Sequence, residues 1–397
     1  MALFNRALLA LAFVLVFPAA AHGQPQPNAI VAHFRAYQAA LDQGDLVTAE
    51  REAASALEAS VARDGDGANT GVLAINLAQV RLRLSRRDAA YEPALRAHAI
   101  ASAGQSNLDP LLAQMILGRA ELTQERWREG QNRLAPAIEQ ARTRPDLDAE
   151  TYNAAADLGR WMFSEGLYEG ALDAWEVAKQ KADATPGNND YARAEARMGH
   201  AAALFSRAIV RTIGAQARPT DTRLGGNADA AFDTADAELL EAQNILGTVA
   251  YTPSPDGGFT LGQRMYANVL AWRTLLRAFT ESRGLRTLAQ RAPDFELPPN
   301  ADPRPLCPVN VVGEPMPRFP PGASSTFSAG AAVIRFQVDA SGNVIDSQVA
   351  AAIPERWFRE AVEAVAPQWR LALADDAPAD CRYNEVEFVP IKFYFRN

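Results

Sequence analysis

Apolar and polar positions change period part-way along the chain. Between residues 27 and 290, stretches rich in alanine, leucine, glutamate and arginine carry few strand signals and read as helices. Further on the alternation becomes twofold. In Val333–Asp339, Ile334, Phe336 and Val338 alternate with Arg335, Gln337 and Asp339, the pattern of a half-buried strand. The turn Asp339–Asn343 offers Gly342 for a left-handed position, and Val344–Val349 follows as a second strand. Apolar residues at 358, 361, 362 and 365 lie on one face of a helix expected over Glu355–Ala366, which would cover the sheet. The last run, Val389–Arg396, sets Ile391, Phe393 and Phe395 against Lys392, Tyr394 and Arg396. Ten of the 25 prolines fall between Pro293 and Pro321, which excludes helix there and predicts a linker at 291–314.

The helical part repeats. One unit runs Ala156-Asp-Leu-Gly-Arg160, then Gly166, Tyr168, Ala171, Trp175 and Ala178. The same register recurs at Leu117-Gly118, Leu77-Ala78, Ala36-Tyr37 and Met198-Gly199, so the anchors 36, 77, 117, 158 and 198 are 40 or 41 residues apart. This pattern resembles the tetratricopeptide repeat, whose usual period is about 34 residues. Glycine or alanine on one helix lets its partner approach, and the aromatic fills the space beside it. The resemblance implies an α-solenoid of helical hairpins over 24–290. The polar residues after each anchor, Gln38, Gln79, Arg119, Arg160 and His200, would line a concave groove. Arg119 and Arg160 would hold a carboxylate of an extended peptide there. A loop is expected at 214–226 inside the fifth hairpin, a helix over 230–246, and a terminal segment from Leu261 to Leu288 that caps the array.

The order of signals near the end of the chain also has a counterpart. Pro317-Arg-Phe-Pro320, Val338-Asp-Ala-Ser-Gly342, Trp369-Arg-Leu371 and Pro390-Ile-Lys-Phe393 together resemble the C-terminal domain of the TonB energy-transducer family. The resemblance covers residues 315–397 and implies a small α+β domain with a short antiparallel sheet and one helix. It further implies that Phe388, Ile391, Lys392, Phe393, Tyr394, Phe395 and Arg396 form a strand that pairs with an extended peptide of an outer-membrane transporter.

Charge and termini narrow the setting. A net charge of −8 argues against nucleic acid as a partner. Arg6, the apolar stretch Ala7–Phe17 and Ala21-His22-Gly23 read as a signal peptide over 1–23, which places the mature protein in the periplasm of a bacterial envelope. Retained, the same segment would be an anchor, and the protein would then be a TonB-type transducer for transmembrane transport. The two cysteines, Cys307 and Cys381, are expected to form a disulfide bond in that oxidising compartment. The histidines, 22, 33, 98 and 200, form no close pair and lie far from the cysteines, so no metal, cofactor or catalytic constellation is expected. The reading is of a protein-binding protein and not an enzyme.

Overall fold

The computed structural model describes residues 29–397 except 105, 186–188, 218–227, 252–257, 284–287, 289–303, 305–306, 313–315, 322, 324–328, 340, 384 and 395–397. The expected signal peptide and most of the expected linker therefore lie outside the described residues. The chain divides into two compact units, Met1–Asn189 and Asp190–Asn397.

The first unit is a run of four helical hairpins: α1 (Ala29–Asp42) with α2 (Leu46–Asp64), α3 (Ala68–Arg83) with α4 (Arg87–Ser102), α5 (Pro110–Glu121) with α6 (Trp127–Ala141), and α7 (Asp148–Ser164) with α8 (Tyr168–Ala184). Each repeat anchor falls on the first helix of its hairpin. Asp45 starts α2 by accepting a hydrogen bond from the Thr48 N–H at 3.0 Å. Asp109 starts α5 in the same way, accepting from Leu111 and Leu112 ahead of Pro110. Close approach within a hairpin depends on missing side chains. A Cβ on Gly159 would sit 2.9 Å from the Trp175 ring, so the indole of α8 lies flush on the α7 backbone. The core is accordingly alanine-rich: Ala49, Ala53, Ala74, Ala94, Ala113, Ala155 and Ala178 are buried. Small side chains bring helix axes close and leave leucine and isoleucine to fill the gaps between hairpins.

The second unit opens with a fifth hairpin, α9 (Asp190–Ala217) and α10 (Ala228–Ala250), followed by α11 (Leu261–Ser282). Helix α9 runs through residues 214–217, where a loop was expected. Phe205, Phe232 and Phe279 meet at centroid distances of 5.7–6.1 Å and knit the three helices together. Thr260 and Gln263 form a reciprocal capping box at the start of α11.

The sheet follows. Strands β2 (Ala329–Val338), β3 (Val344–Ile353) and β5 (Val386–Tyr394) pair antiparallel in the order β3-β2-β5. The short strands β1 (Val309–Val312) and β4 (Arg370–Leu373) form a separate two-stranded ribbon. Helix α12 (Glu355–Glu363) packs Phe358 and Val362 against Ala332, Ile334, Phe336, Ile391 and Phe393. Gly342 takes φ +85° in the β2–β3 turn, where Asp339 accepts from the N–H groups of Ser341 and Asn343. Cys307 and Cys381 are joined, with Cα atoms 4.9 Å apart, and the Cys307 N–H donates to the Arg382 carbonyl at 2.9 Å.

Three further expectations change. Residues Val309–Val312, assigned to the linker, are a strand. Strand β2, read as half-buried, is buried along both faces, because α11 covers the side that α12 leaves open. Helix α11 is therefore not a polar cap; it is the second cover of the sheet.

Candidate functional site

Three of the five inner positions predicted from the repeat, Gln79, Arg119 and Arg160, come together in the first unit, but on acids of the chain itself. Arg119, on α5, is buried and donates from Nε to Asp157 Oδ2 at 2.8 Å and from Nη1 to Glu150 Oε2 at 3.0 Å. Gln79, on α3, donates to Glu150 Oε1 at 3.1 Å. Arg160 and Arg87 both reach Asp157 Oδ1, at 2.6 and 3.0 Å. Burial pushes the Asp157 carboxyl up, but Arg119, Arg160 and Arg87 outweigh it and hold the group well below the usual carboxylate range. The cluster joins α3, α4, α5 and α7, and so ties three successive hairpins. Arg119, expected to meet a peptide carboxylate, has its charge matched internally. Gln38 is exposed on α1 and stands apart from this cluster. In the second unit His200 pairs through Nδ1 with Glu238 Oε2 at 2.7 Å.

The side chains expected to bind peptide at the last strand are mostly occupied. The Phe388 ring packs at a tilt against Tyr266 and edge-to-face against Tyr251, at centroid distances of 5.3 and 5.8 Å. Ile391 and Phe393 are in the core, with the Phe393 ring 4.8 Å from Phe358. Lys392 Nζ donates to Glu281 Oε1 at 2.6 Å. Phe395, Arg396 and the side chain of Tyr394 lie outside the described residues. What the strand can offer is its backbone.

Register fixes which backbone groups face out. The Val338 N–H donates to the Glu385 carbonyl at 3.0 Å. Bonded pairs in an antiparallel ladder recur at every second residue. The bonded pairs are then Phe336/Glu387, Ile334/Val389 and Ala332/Ile391, and Phe388, Pro390 and Lys392 turn outward. Proline has no N–H, so the outer edge of β5 lacks a donor at Pro390. On the opposite side of β2, Gln337 and Arg335 bond to Asp346 and Gln348, which leaves Ser347 and Val349 outward on β3; Ile345 falls at a register shift, the extra residue between Val344 and Asp346. The Val349 carbonyl accepts from Arg359 Nη1 at 2.6 Å. Arg359 also donates to Glu355 at 2.5 Å and Glu363 at 3.4 Å. A cleft of about 310 Å³ lies along this edge, lined by Ser347, Gln348, Val349, Arg359, Glu363 and Phe259 among others.

Arg335 was read as a solvent-facing strand residue, yet it is fully buried. Its guanidinium lies 4.1 Å from the Phe259 ring centroid, and Nη1 donates to the Gly258 carbonyl at 2.7 Å and to Gln263 Oε1 at 3.3 Å. It fastens the sheet to the start of α11.

No family model and no curated protein matches the chain. Among solved structures, a tetratricopeptide-repeat protein from Bacteroides fragilis is similar at 16% identity, covering 60% of this chain and 97% of its own, with a TM-score of 0.25. Nro1, a hypoxic regulator of sterol synthesis described as a nuclear import adaptor, is similar at 12% identity, covering 65% of this chain and 89% of its own, with a TM-score of 0.33. The hairpin architecture is read from the chain's own helices. Sequence reasoning missed Glu150 and Asp157, although their seven-residue spacing puts both on one side of α7. It also missed Arg359 as a cover for the sheet edge, for which an arginine after a strand gives no signal.

Among the described residues no helix is long and apolar enough to cross a membrane, and no group of three histidine, cysteine or carboxylate residues could hold a metal ion.

Proposed function

We propose that the protein is a non-enzymatic binding protein of the bacterial periplasm that takes up an extended segment of another protein by strand addition to its C-terminal sheet. The observation that carries this reading is the three-stranded sheet, whose two outer strands each pair on one side only among the described residues. A bare edge is a template for another chain. The TonB-like order of motifs in residues 315–397 supports an outer-membrane transporter as the source of the segment. The signal-like N-terminus and the Cys307–Cys381 bond fit export. Retention of residues 1–23 would convert the same chain into an anchored transducer.

Two measurements test this. N-terminal sequencing of the mature protein is expected to begin near Gln24; a chain that retains Met1 moves the assignment to the transducer. A photo-crosslinking residue placed at Ile345 or at Lys392 is expected to trap an envelope protein in intact cells. Failure at both positions, with the protein folded and exported, removes strand addition.

A further inference from the structure

We infer that the accepting edge is β3 and not the C-terminal strand β5, that Arg359 is a displaceable cap over it, and that the occupant is an extended segment bearing a basic side chain. The inference rests on the strand-addition reading and assigns its site. Three observations separate the two edges. Strand β5 lacks an outward donor at Pro390, in the middle of its outer row, so an added strand would lose a ladder bond there. Strand β3 has no proline, and its outward residues Ser347 and Val349 border the 310 Å³ cleft. Ile345, the extra residue at the register shift beside that row, is 68% exposed although apolar.

The cap follows from the bonds of Arg359. Nη1 satisfies the Val349 carbonyl, as charged side chains commonly do on strand edges that must not aggregate. Glu355 and Glu363 hold the same guanidinium. When an incoming N–H takes the Val349 carbonyl, Arg359 gives up one hydrogen bond and keeps both carboxylates. Opening the edge therefore leaves no buried charge unpaired. The pair of carboxylates exceeds the single guanidinium by one charge, and both are more than half exposed. A basic side chain on the added strand neutralises that excess, and an acidic one is repelled.

The test uses the full-length protein, ¹⁵N-labelled, and two blocked heptapeptides of alternating valine and threonine. One carries a central lysine and the other a central glutamate. The lysine peptide is expected to shift the amide signals of Ile345–Val349 and to bind about threefold tighter than its glutamate counterpart. Ser347→Pro removes an N–H that points away from β2, so the ladder is kept while affinity falls about tenfold. Glu363→Lys, at an exposed site, is expected to reverse the preference between the peptides. Arg359→Ala is expected to tighten binding of the lysine peptide and widen its lead over the glutamate peptide, because the cap is gone and both carboxylates are left unmatched, and Pro390→Val to change nothing. Shifts confined to Phe388–Lys392, or tighter binding by Pro390→Val, overturn the edge assignment and leave strand addition standing. Concentration-dependent shifts of β3 without peptide name a second copy as occupant and overturn the partner. Absence of binding to both wild type and Arg359→Ala at millimolar peptide overturns strand addition itself.

Discussion

Asp157 and Glu387 are both carboxylates in poor contact with water, and they titrate in opposite directions for one reason. Asp157 has three arginines within hydrogen-bonding distance, whereas burial alone acts on Glu387. The folded value of Asp157 lies below its unfolded one, so its contribution to stability is complete above about pH 4 and is lost as pH falls toward the folded value. Asp157→Asn should cost about 3 kcal/mol at pH 7, because Arg119 stays buried with one partner fewer. The cost should shrink in urea titrations run at pH 3. Equal losses at both pH values would show that the ion pairs are not what the aspartate supplies. Glu387 is raised from 4.5 to about 7, so the folded protein binds more protons than the unfolded chain between those values. Stability therefore falls across that window as pH rises. Glu387→Gln should gain on the order of 1–2 kcal/mol at pH 8 and nothing at pH 4. A gain independent of pH would mean that packing, not charge, is responsible.

At the level of elements, β2, β3, β5 and α12 were legible because alternation and helical spacing report one buried face directly. Strands β1 and β4 were not, since each has four residues and β1 follows directly on Pro308 in a proline-rich stretch. The second cover of β2 was also hidden. An arginine in a strand reads as a solvent face, and Arg335 is buried with Gly258 and Gln263, 77 and 72 residues away, and Asp346 of β3 taking its donors. The repeat anchors predicted the hairpins because glycine against tryptophan is a local signal; the acids that occupy Arg119 come from the next hairpin. The disulfide was readable from cysteine number together with the signal-like pattern of residues 1–23. It ties the approach to β1 to the segment before β5, across 74 residues. The chain-entropy account gives such a closure about 4 kcal/mol at most. Cys307→Ser with Cys381→Ser should lower the unfolding midpoint of the sheet and leave the first unit unchanged. Exchange protection of β2 amides separates the two, and unchanged protection would make the bond dispensable.

For the whole molecule, the consequence is where the chain can be cut. A boundary drawn by composition falls in the proline-rich stretch and treats the sheet as a detachable module. The second unit contains α9–α11 together with the sheet. Helix α11 supplies Gln263 to Arg335, Tyr266 to Phe388 and Glu281 to Lys392, so one helix carries partners for two strands. A chain ending at Arg283 keeps α11 but removes everything its sheet-facing side packs against. Exposed apolar surface of that kind promotes local opening. Trypsin should then cut after Arg264, Arg273 or Arg277 at least about tenfold faster than in the full-length protein, with dye binding to the uncovered face. Cleavage sites in α3–α8 should keep their original rates, because those helices find their partners within the first unit. Equal resistance of α11 in both chains would show that α9 and α10 alone hold it, and that the sheet is a separable domain after all.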